Sequence, residues 1–212
     1  MNHWLDTSKR NLVPLSKSIS FTEALREWLF TGNVYDYDDE EDIECELCEH
    51  PDLSHHFEIR NTLNDNRLLV GSSCILKFSE ITIRDALGQE VTDFDERKFY
   101  LEDALQKKLA EIMLEPLREL WLEDKEYRAY IKTKAIHLKA GNGVSPRELL
   151  FLLRRMEFYQ IPYTAKRYKV SLRSYDEQRE LHQMSQDELR KIKPALSAAQ
   201  LKKYARVFAR ES

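Results

Sequence analysis

Three cysteines are the residues of this sequence best suited to a defined chemistry. Cys45 and Cys48 form a Cys-x-x-Cys pair, and Cys74 follows further along the chain. A turn that carries Cys-x-x-Cys supplies two of the four ligands of a tetrahedral Zn²⁺ ion. An odd number of cysteines in one short stretch fits a metal site better than a set of disulfide bonds. The spacing therefore predicts one structural zinc site.

The fourth ligand of this site is predicted to be a histidine. A turn centred on Asp65 would pair His56 with Cys74 across two strands, and His56 is therefore the first choice. His55 is an alternative, and because neighbouring residues of a strand point to opposite faces, only one of the two can ligate. His50 is a further alternative, although it lies only two residues beyond the second cysteine.

The predicted metal ligands need a small β-hairpin and a helix to position them. Two stretches, 55–62 and 67–71, flank a turn at 64–66 and are predicted strands. A helix that begins near Ser72 would hold Cys74 in its first turn, where the helix N-terminus favours a thiolate. The predicted module thus consists of a knuckle, a hairpin and a short helix.

Three segments carry a resemblance to a known family. The Cys45-x-x-Cys48 pair, HFEIRN at 56–61 and VGSSCI at 70–75 resemble a zinc module found in uncharacterised bacterial and phage proteins. That module looks like a treble clef or a zinc ribbon, and the resemblance covers about residues 21–80. It implies a fold and a structural Zn²⁺ ion, and it implies no activity.

The rest of the chain is predicted to be mainly helical, which makes the whole an α+β protein with a zinc-stabilised hairpin. The 212 residues are 33% charged and contain only 5 Gly and 6 Pro, a composition typical of amphipathic helices. Residues 1–80 are predicted to form an N-terminal helix and the zinc module, and residues 81–212 a helical domain. No apolar run is long enough to cross a membrane and no signal peptide is recognisable, so we expect a cytoplasmic protein.

Helix signals give more detailed expectations. Residues 1–19 are predicted to be irregular, and a helix is predicted from Ser20, with Glu23 completing a capping box, to Gly32. An acidic loop is predicted at 36–49. A break or kink is predicted at Pro116, followed by a helix to about residue 138. Further capping boxes are predicted at three serines: Ser145, Ser185 and Ser197.

The C-terminal half is strongly basic. Residues 131–212 contain 18 Lys and Arg against 8 Asp and Glu, whereas residues 1–130 contain 15 against 29. Cations neutralise phosphates, and aromatic rings stack on unpaired bases. The candidate nucleic-acid-binding residues are Arg147, Arg154, Arg155, Tyr159, Tyr163, Lys166, Arg167, Tyr168, Lys169 and Arg173.

These observations predict a non-enzymatic, zinc-containing protein that binds DNA or RNA. Three thiolates and a histidine close the metal shell and leave no position for a reactive water. No phosphate-binding loop and no small-molecule cofactor motif is present. One alternative is an adaptor that binds a protein partner through its acidic N-terminal or basic C-terminal surface. A second is a nuclease of the His-Asn-His type that uses His55 or His56 with Asn61 or Asn66.

Overall fold

A computed structural model describes residues 3–37 and 43–209 of the chain, and it combines many helices with one small sheet. The predicted fold class, helical with a small β module, is confirmed. The helices are α1 (His3–Leu12), α2 (Phe21–Leu25), α3 (Ser72–Lys77), α4 (Phe94–Glu123), α5 (Arg128–Lys139), α6 (Pro146–Phe158), α7 (Tyr175–Gln183), α8 (Gln186–Ile192), α9 (Ala198–Lys203) and α10 (Ala205–Phe208). The strands are β1 (Trp28–Asp36), β2 (His55–Asn61) and β3 (Arg67–Val70), and short 3₁₀ turns lie at Val13–Leu15, Ala165–Arg167 and Lys193–Ala195.

The chain divides into two compact units, Met1–Lys108 and Leu109–Ser212. This division lies beyond the boundary predicted at residue 80. The segment after residue 80 belongs with the first unit because it fills that unit's core: Ile81, Ile83 and Leu101 are buried there. Within the described residues, none of the helices combines the length and the apolar character that crossing a membrane requires.

The first residues of the chain differ from the prediction. Residues 3–12 form α1, which was expected to be irregular, and the helix predicted to reach Gly32 ends at Leu25. The side chain of Ser20 makes no capping hydrogen bond, so the predicted capping box is wrong. From Trp28 onward, buried and more exposed residues alternate along the chain as they do in a strand. The segment contains several aromatic and β-branched residues, which pack well on a pleated surface.

The three strands form an antiparallel sheet in the order β1-β2-β3. A bulge interrupts β1 between Phe30 and Val34, and Gly32 supplies its positive φ of 87°. The acidic loop predicted at 36–49 overlaps the end of β1, and its residues 38–42 lie outside the described residues.

The β2–β3 register corrects the pairing on which the choice of His56 rested. Phe57 faces Val70, so position 56 lies opposite residue 71, and the predicted pairing with Cys74 is wrong. The turn is centred earlier than Asp65 because the backbone N–H of Asn61 donates to the Asn66 carbonyl at 2.8 Å and closes the loop there. Asp65 takes up the left-handed conformation, with φ of 62°.

A buried carboxylate ties the loop before α2 to this hairpin. Glu27 accepts the backbone N–H groups of Lys17 at 2.8 Å and Ser18 at 2.7 Å, and the side-chain amide of Asn61 at 2.7 Å. Burial raises the pKa of Glu27, but these hydrogen bonds outweigh it and hold the pKa below its ordinary value. The ionised form of Glu27 therefore stabilises the first unit.

A buried guanidinium holds the segment that follows α3. Arg97 of α4 is 2% exposed, and its Nη2 donates to the carbonyls of Ile75 at 2.8 Å and Ile81 at 2.9 Å. The same nitrogen reaches the Phe78 carbonyl at 3.3 Å. Arg97 thereby supplies donors to carbonyls at and beyond the C-terminal end of α3, which have no helical partner of their own.

The second unit is helical and packs around a core that includes Leu149, Leu152 and Leu153 of α6. The capping boxes predicted at Ser145, Ser185 and Ser197 are confirmed, and a fourth at Ser174 begins α7. The predicted break at Pro116 is wrong, because α4 continues through it to Glu123. A chain turn at 124–127, which the sequence analysis missed, separates α4 from α5.

Glu27 gives a test of this packing through pH. Glu27→Gln should lower the free energy of unfolding by about 1–3 kcal/mol near pH 7, because an amide offers an N–H₂ group where the carboxylate accepts. The folded-state pKa lies below the unfolded value, so the stabilisation is present above pH 4.5 and is lost as the pH falls through the folded pKa. Urea unfolding of both proteins from pH 7 to pH 3 measures this difference. A gap between them that stays constant down to pH 3 would contradict the assignment.

Candidate metal centre and basic surface

The three predicted cysteine ligands lie together in the first unit. The Cys74 sulfur is 3.2 Å from that of Cys48 and 3.7 Å from that of Cys45, and all three sulfurs lie within 4.8 Å of one another. A tetrahedral Zn²⁺ ion with bonds of about 2.3 Å separates its sulfur ligands by about 3.8 Å. The three residues therefore form a group that can hold a metal ion.

Backbone hydrogen bonds shape the turn that carries the first two cysteines. The N–H of Glu49 donates to the Cys45 carbonyl at 2.7 Å, and the N–H of Cys45 donates to the His50 carbonyl at 2.9 Å. The N–H of Glu46 donates to the Leu69 carbonyl of β3 at 3.0 Å, and the Glu46 carboxylate accepts the Leu69 N–H. These contacts fix the turn along the outer edge of β3.

The third cysteine is positioned by the strand and helix that follow the hairpin. β3 leads through Gly71 into α3, and Cys74 lies in the first turn of that helix, as predicted. The N–H of Gly71 also points at the Cys45 sulfur from 3.4 Å. A backbone donor and a helix N-terminus both favour negative charge on sulfur.

The protonation of the cysteines is strongly unequal. The hydrogen bond between the Cys45 and Cys74 sulfurs lowers the pKa of Cys45, while the same contact, together with burial, raises the pKa of Cys74. One thiolate is therefore stabilised in the group, and a second would repel it at close range. Three thiolates at this spacing need a cation among them.

His56, the first choice for the fourth ligand, is engaged elsewhere. Its Nε2 lies 2.8 Å from the Glu44 carbonyl and its Nδ1 lies 3.2 Å from the Tyr37 hydroxyl. The ring is buried, and both nitrogens have partners. The structure does not bring His56 into the cysteine group, because the register of β2 places it opposite residue 71.

The two alternative histidines line the same pocket as the cysteines. A pocket of 320 Å³ adjoins the cysteine group, and His50, Asp52 and His55 are among the residues that line it. His55 Nε2 lies 3.0 Å from the Asp36 carboxylate, the kind of contact that orients a metal-binding imidazole through its other nitrogen. Asp52 also lines the pocket, and a single aspartate in a loop gives no signal of this in the sequence.

The residues of the predicted nuclease do not converge on one site. Asn61 donates to Glu27, and Asn66 donates from its side chain to the Leu15 carbonyl at 2.9 Å. These amides support the hairpin loop, whereas His56 bonds Glu44 and Tyr37. His55 lines the pocket beside the cysteines, and neither Asn61 nor Asn66 is among the residues that line it.

Several predicted nucleic-acid-binding residues are used inside the second unit. Tyr168 is 2% exposed and its hydroxyl faces the Met156 sulfur at 3.8 Å, so it cannot stack on a base. Arg155 donates to Asp124, which is fully buried, at 2.6 Å. The Arg155 guanidinium also lies over the Tyr159 ring, 5.3 Å from its centroid. These three side chains have structural roles.

Others are exposed or partly exposed but make internal contacts. Arg154 pairs with Glu188 at 2.9 Å, and the Tyr163 hydroxyl donates to Glu157 at 2.8 Å. Arg147 donates its backbone N–H to Glu180 at 3.2 Å. These contacts lie on or near the surface, where an ion pair contributes little to stability and can exchange for another partner.

The remaining candidates lie in or near the Ala165–Arg167 turn, and Arg167 is its last residue. Lys166, Lys169 and Arg173 are exposed. The turn packs against the Lys193–Ala195 turn, and the N–H of Val170 donates to the Ala195 carbonyl at 3.4 Å. This contact brings the exposed Lys193 to the same surface. The sequence analysis missed Lys193 because it lies well beyond the basic stretch in sequence.

Comparison with known proteins identifies no relative. The chain matches no family model, and no curated protein sequence and no solved structure matches it either. The resemblance of the segments at 45–48, 56–61 and 70–75 to a bacterial and phage zinc module therefore stays a prediction.

Two adjacent arginines of α6 give a test of their different roles. Arg155→Ala should lower the free energy of unfolding by about 3 kcal/mol, because the buried Asp124 carboxylate loses its partner. Arg154→Ala should change it by less than about 1 kcal/mol, because the pair with Glu188 is partly solvated. Denaturant unfolding of both variants measures the difference. Equal effects of the two substitutions would show that Arg155 has no special structural role.

Proposed function

We propose that the chain binds one Zn²⁺ ion through Cys45, Cys48 and Cys74, and that the ion is structural. The convergence of three sulfurs within 4.8 Å carries this proposal. Their spacing fits the tetrahedral geometry of zinc, and thiolates select zinc over the hard cations Mg²⁺ and Ca²⁺. One histidine of the adjoining pocket, His50 or His55, completes the coordination shell.

A structural role follows from what the three ligands connect. The cysteines join the knuckle at 45–48 to α3, and the knuckle is hydrogen-bonded to β3. Three thiolates and an imidazole leave no open position on the ion for substrate or water. The proposed role of the ion is therefore to fold the first unit, with no part in a reaction.

Removal of the metal should unfold the first unit. Structural zinc contributes about 10–16 kcal/mol of binding free energy in zinc-finger peptides, which equals or exceeds the whole stability of a typical domain. Purified protein should contain about one zinc per chain by elemental analysis. Chelation should abolish the cooperative thermal transition of this unit, and added Zn²⁺ should restore it.

Single substitutions separate the ligands from their neighbours. Cys74→Ser should remove most of the zinc and weaken the thiolate-to-cobalt charge-transfer absorption of the Co²⁺-loaded protein. His56→Asn is the matched control and should retain both, because His56 bonds Glu44 and Tyr37. Wild-type protein that contains no zinc and gives no cobalt–thiolate absorption would refute the proposal. Loss of zinc in His56→Asn alone would restore His56 as the fourth ligand.

We further propose that the protein binds nucleic acid through its basic half, without catalysis. The surplus of cations in residues 131–212 supports this, as do the exposed Lys166, Lys169 and Lys193, which lie in or beside two turns that pack together. This surface, which we call the 166/169/193 patch, consists of exposed ammonium groups that can neutralise phosphates. Since Tyr168 is buried and Arg155 is paired, the contact rests on charge more than on base stacking.

Anisotropy of labelled single- and double-stranded DNA and RNA across a salt series tests this proposal. Lys166→Ala/Lys169→Ala/Lys193→Ala should weaken binding and reduce the slope of log affinity against log salt by about 2–3. Lys132→Ala/Lys139→Ala/Lys202→Ala removes the same charge elsewhere in the basic half and should leave most of the affinity.

The other outcomes of this experiment identify the alternatives. Equal losses in the two triple variants would show that only net charge matters and would overturn the 166/169/193 patch. No binding at low salt would remove nucleic acid as the partner and favour a protein adaptor. Cleavage of the labelled strands in the presence of a divalent metal would favour the nuclease hypothesis.

A further inference from the structure

A second pocket, in the helical unit, is walled by aromatic rings. It has a volume of 330 Å³, and its lining includes Tyr127, Tyr130 and Phe151. The Phe151 centroid lies 5.0 Å from that of Tyr127 and 5.2 Å from that of Tyr130, with interplanar angles of 66° and 84°. The Phe151 ring therefore stands edge-to-face with both tyrosines, so three π-systems border one space.

Charged side chains also line this pocket. Glu148 of α6 and Glu180 of α7 line it together with the rings. Burial, followed by the charges of these two glutamates, raises the pKa of Tyr130 to about 12. Arg147 is the one cation among the lining residues, and its Nη2 donates to Gln183 at 3.4 Å.

Two of the three rings already bind cations of the same chain. Lys134 Nζ lies 5.2 Å from the Tyr130 centroid, and the Arg155 guanidinium lies 5.1 Å from that of Tyr127. Neither cation is among the residues that line the pocket. The two cations therefore do not fill the pocket, whose volume lies beside rings that attract positive charge.

The hydrogen bonds that the two carboxylates already make bear on the kind of cation that the pocket suits. Both oxygens of Glu148 are engaged, one with Lys134 Nζ and one with the backbone N–H of Ser145. One oxygen of Glu180 accepts the backbone N–H of Arg147. A primary ammonium or a guanidinium needs several acceptors when it is buried, whereas an alkylated ammonium needs none.

We propose that this pocket, which we call the aromatic pocket, binds a quaternary ammonium group. The cation would lie against the Tyr127, Tyr130 and Phe151 rings, and Glu180 would supply long-range attraction. Both a free quaternary amine and a trimethylated lysine side chain of a peptide present this chemistry. The proposal is independent of the metal site.

Titration of the full-length protein with choline, followed by NMR of the tyrosine and phenylalanine ring protons, tests this inference. The neutral isostere 3,3-dimethylbutan-1-ol has the same shape without the charge. Choline should bind at least tenfold more tightly than the isostere. Equal binding of the two probes, or no saturable binding of choline, would overturn the proposal.

Substitutions locate the binding to this pocket. Tyr130→Leu and Glu180→Gln should each weaken choline binding several-fold, whereas Tyr130→Phe, which keeps the ring, should retain it. Tyr175→Leu is the matched control, because Tyr175 is 76% exposed and does not line the pocket. If Tyr130→Leu fails to fold, Glu180→Gln and Tyr130→Phe carry the test. Choline binding that is unchanged in Glu180→Gln, and that Tyr175→Leu weakens as much as Tyr130→Leu does, would place the cation elsewhere.

A third comparison separates the two sources of the ammonium group. A short peptide with one trimethyl-lysine should bind at least tenfold more tightly than choline if a protein segment is the natural ligand. Equal affinities would identify a small quaternary amine. The unmethylated peptide should bind more weakly than either, and tighter binding of that peptide would overturn the choice of a quaternary ammonium.

Discussion

The architecture of the first unit depends on the proximity of three cysteine sulfurs. α3 is only six residues long, and a helix of that length does not persist on its own in water. Its position is set by Cys74, which meets the sulfurs of the knuckle at one end of the sheet. Because thiolates at this distance repel one another, the arrangement is stable with full charge only around a cation. The three sulfurs thus lie where the knuckle meets the helix that follows the hairpin.

Arg97 supports the same helix from the opposite end. Its guanidinium has carbonyl groups as acceptors at Ile75, Phe78 and Ile81 and lies among apolar side chains, an expensive location for a charge. Burial accordingly lowers the pKa of Arg97, against the opposing influence of Glu90 and Glu80. One short helix is therefore held by sulfur chemistry at its first turn and by a charged donor group at its last. Both contacts act together with the hydrophobic core, in which Ile75 of the same helix is fully buried.

The sequence was informative wherever the determining interaction is local. The Cys-x-x-Cys turn, the hairpin strands and three serine capping boxes are set by residues a few positions apart, and these predictions agree with the structure. Predictions failed where tertiary packing decides. The spacing of a helical apolar stripe is found at Phe21, Ala24, Leu25, Trp28 and Leu29. Residues 28–36 nevertheless form a strand, because β2 offers them backbone hydrogen-bond partners. The hydrogen bond that closes the loop between Asn61 and Asn66 sets a different β2–β3 register, so His56 does not lie opposite Cys74. The burial of Tyr168 cannot be predicted from the types of the residues next to it in the sequence.

The pairing of Glu46 with Leu69 has a consequence for association between molecules. β3 is an edge strand, and its outward N–H and C=O groups form a template on which another extended chain can add. The backbone N–H of Glu46 donates to the Leu69 carbonyl, and the Glu46 carboxylate accepts the Leu69 N–H. Both outward groups of Leu69 are therefore already bonded. The knuckle holds Glu46 there, so an intact cysteine site also shields the sheet from growth. A second chain could pair with β3 at this position only after Glu46 had left it.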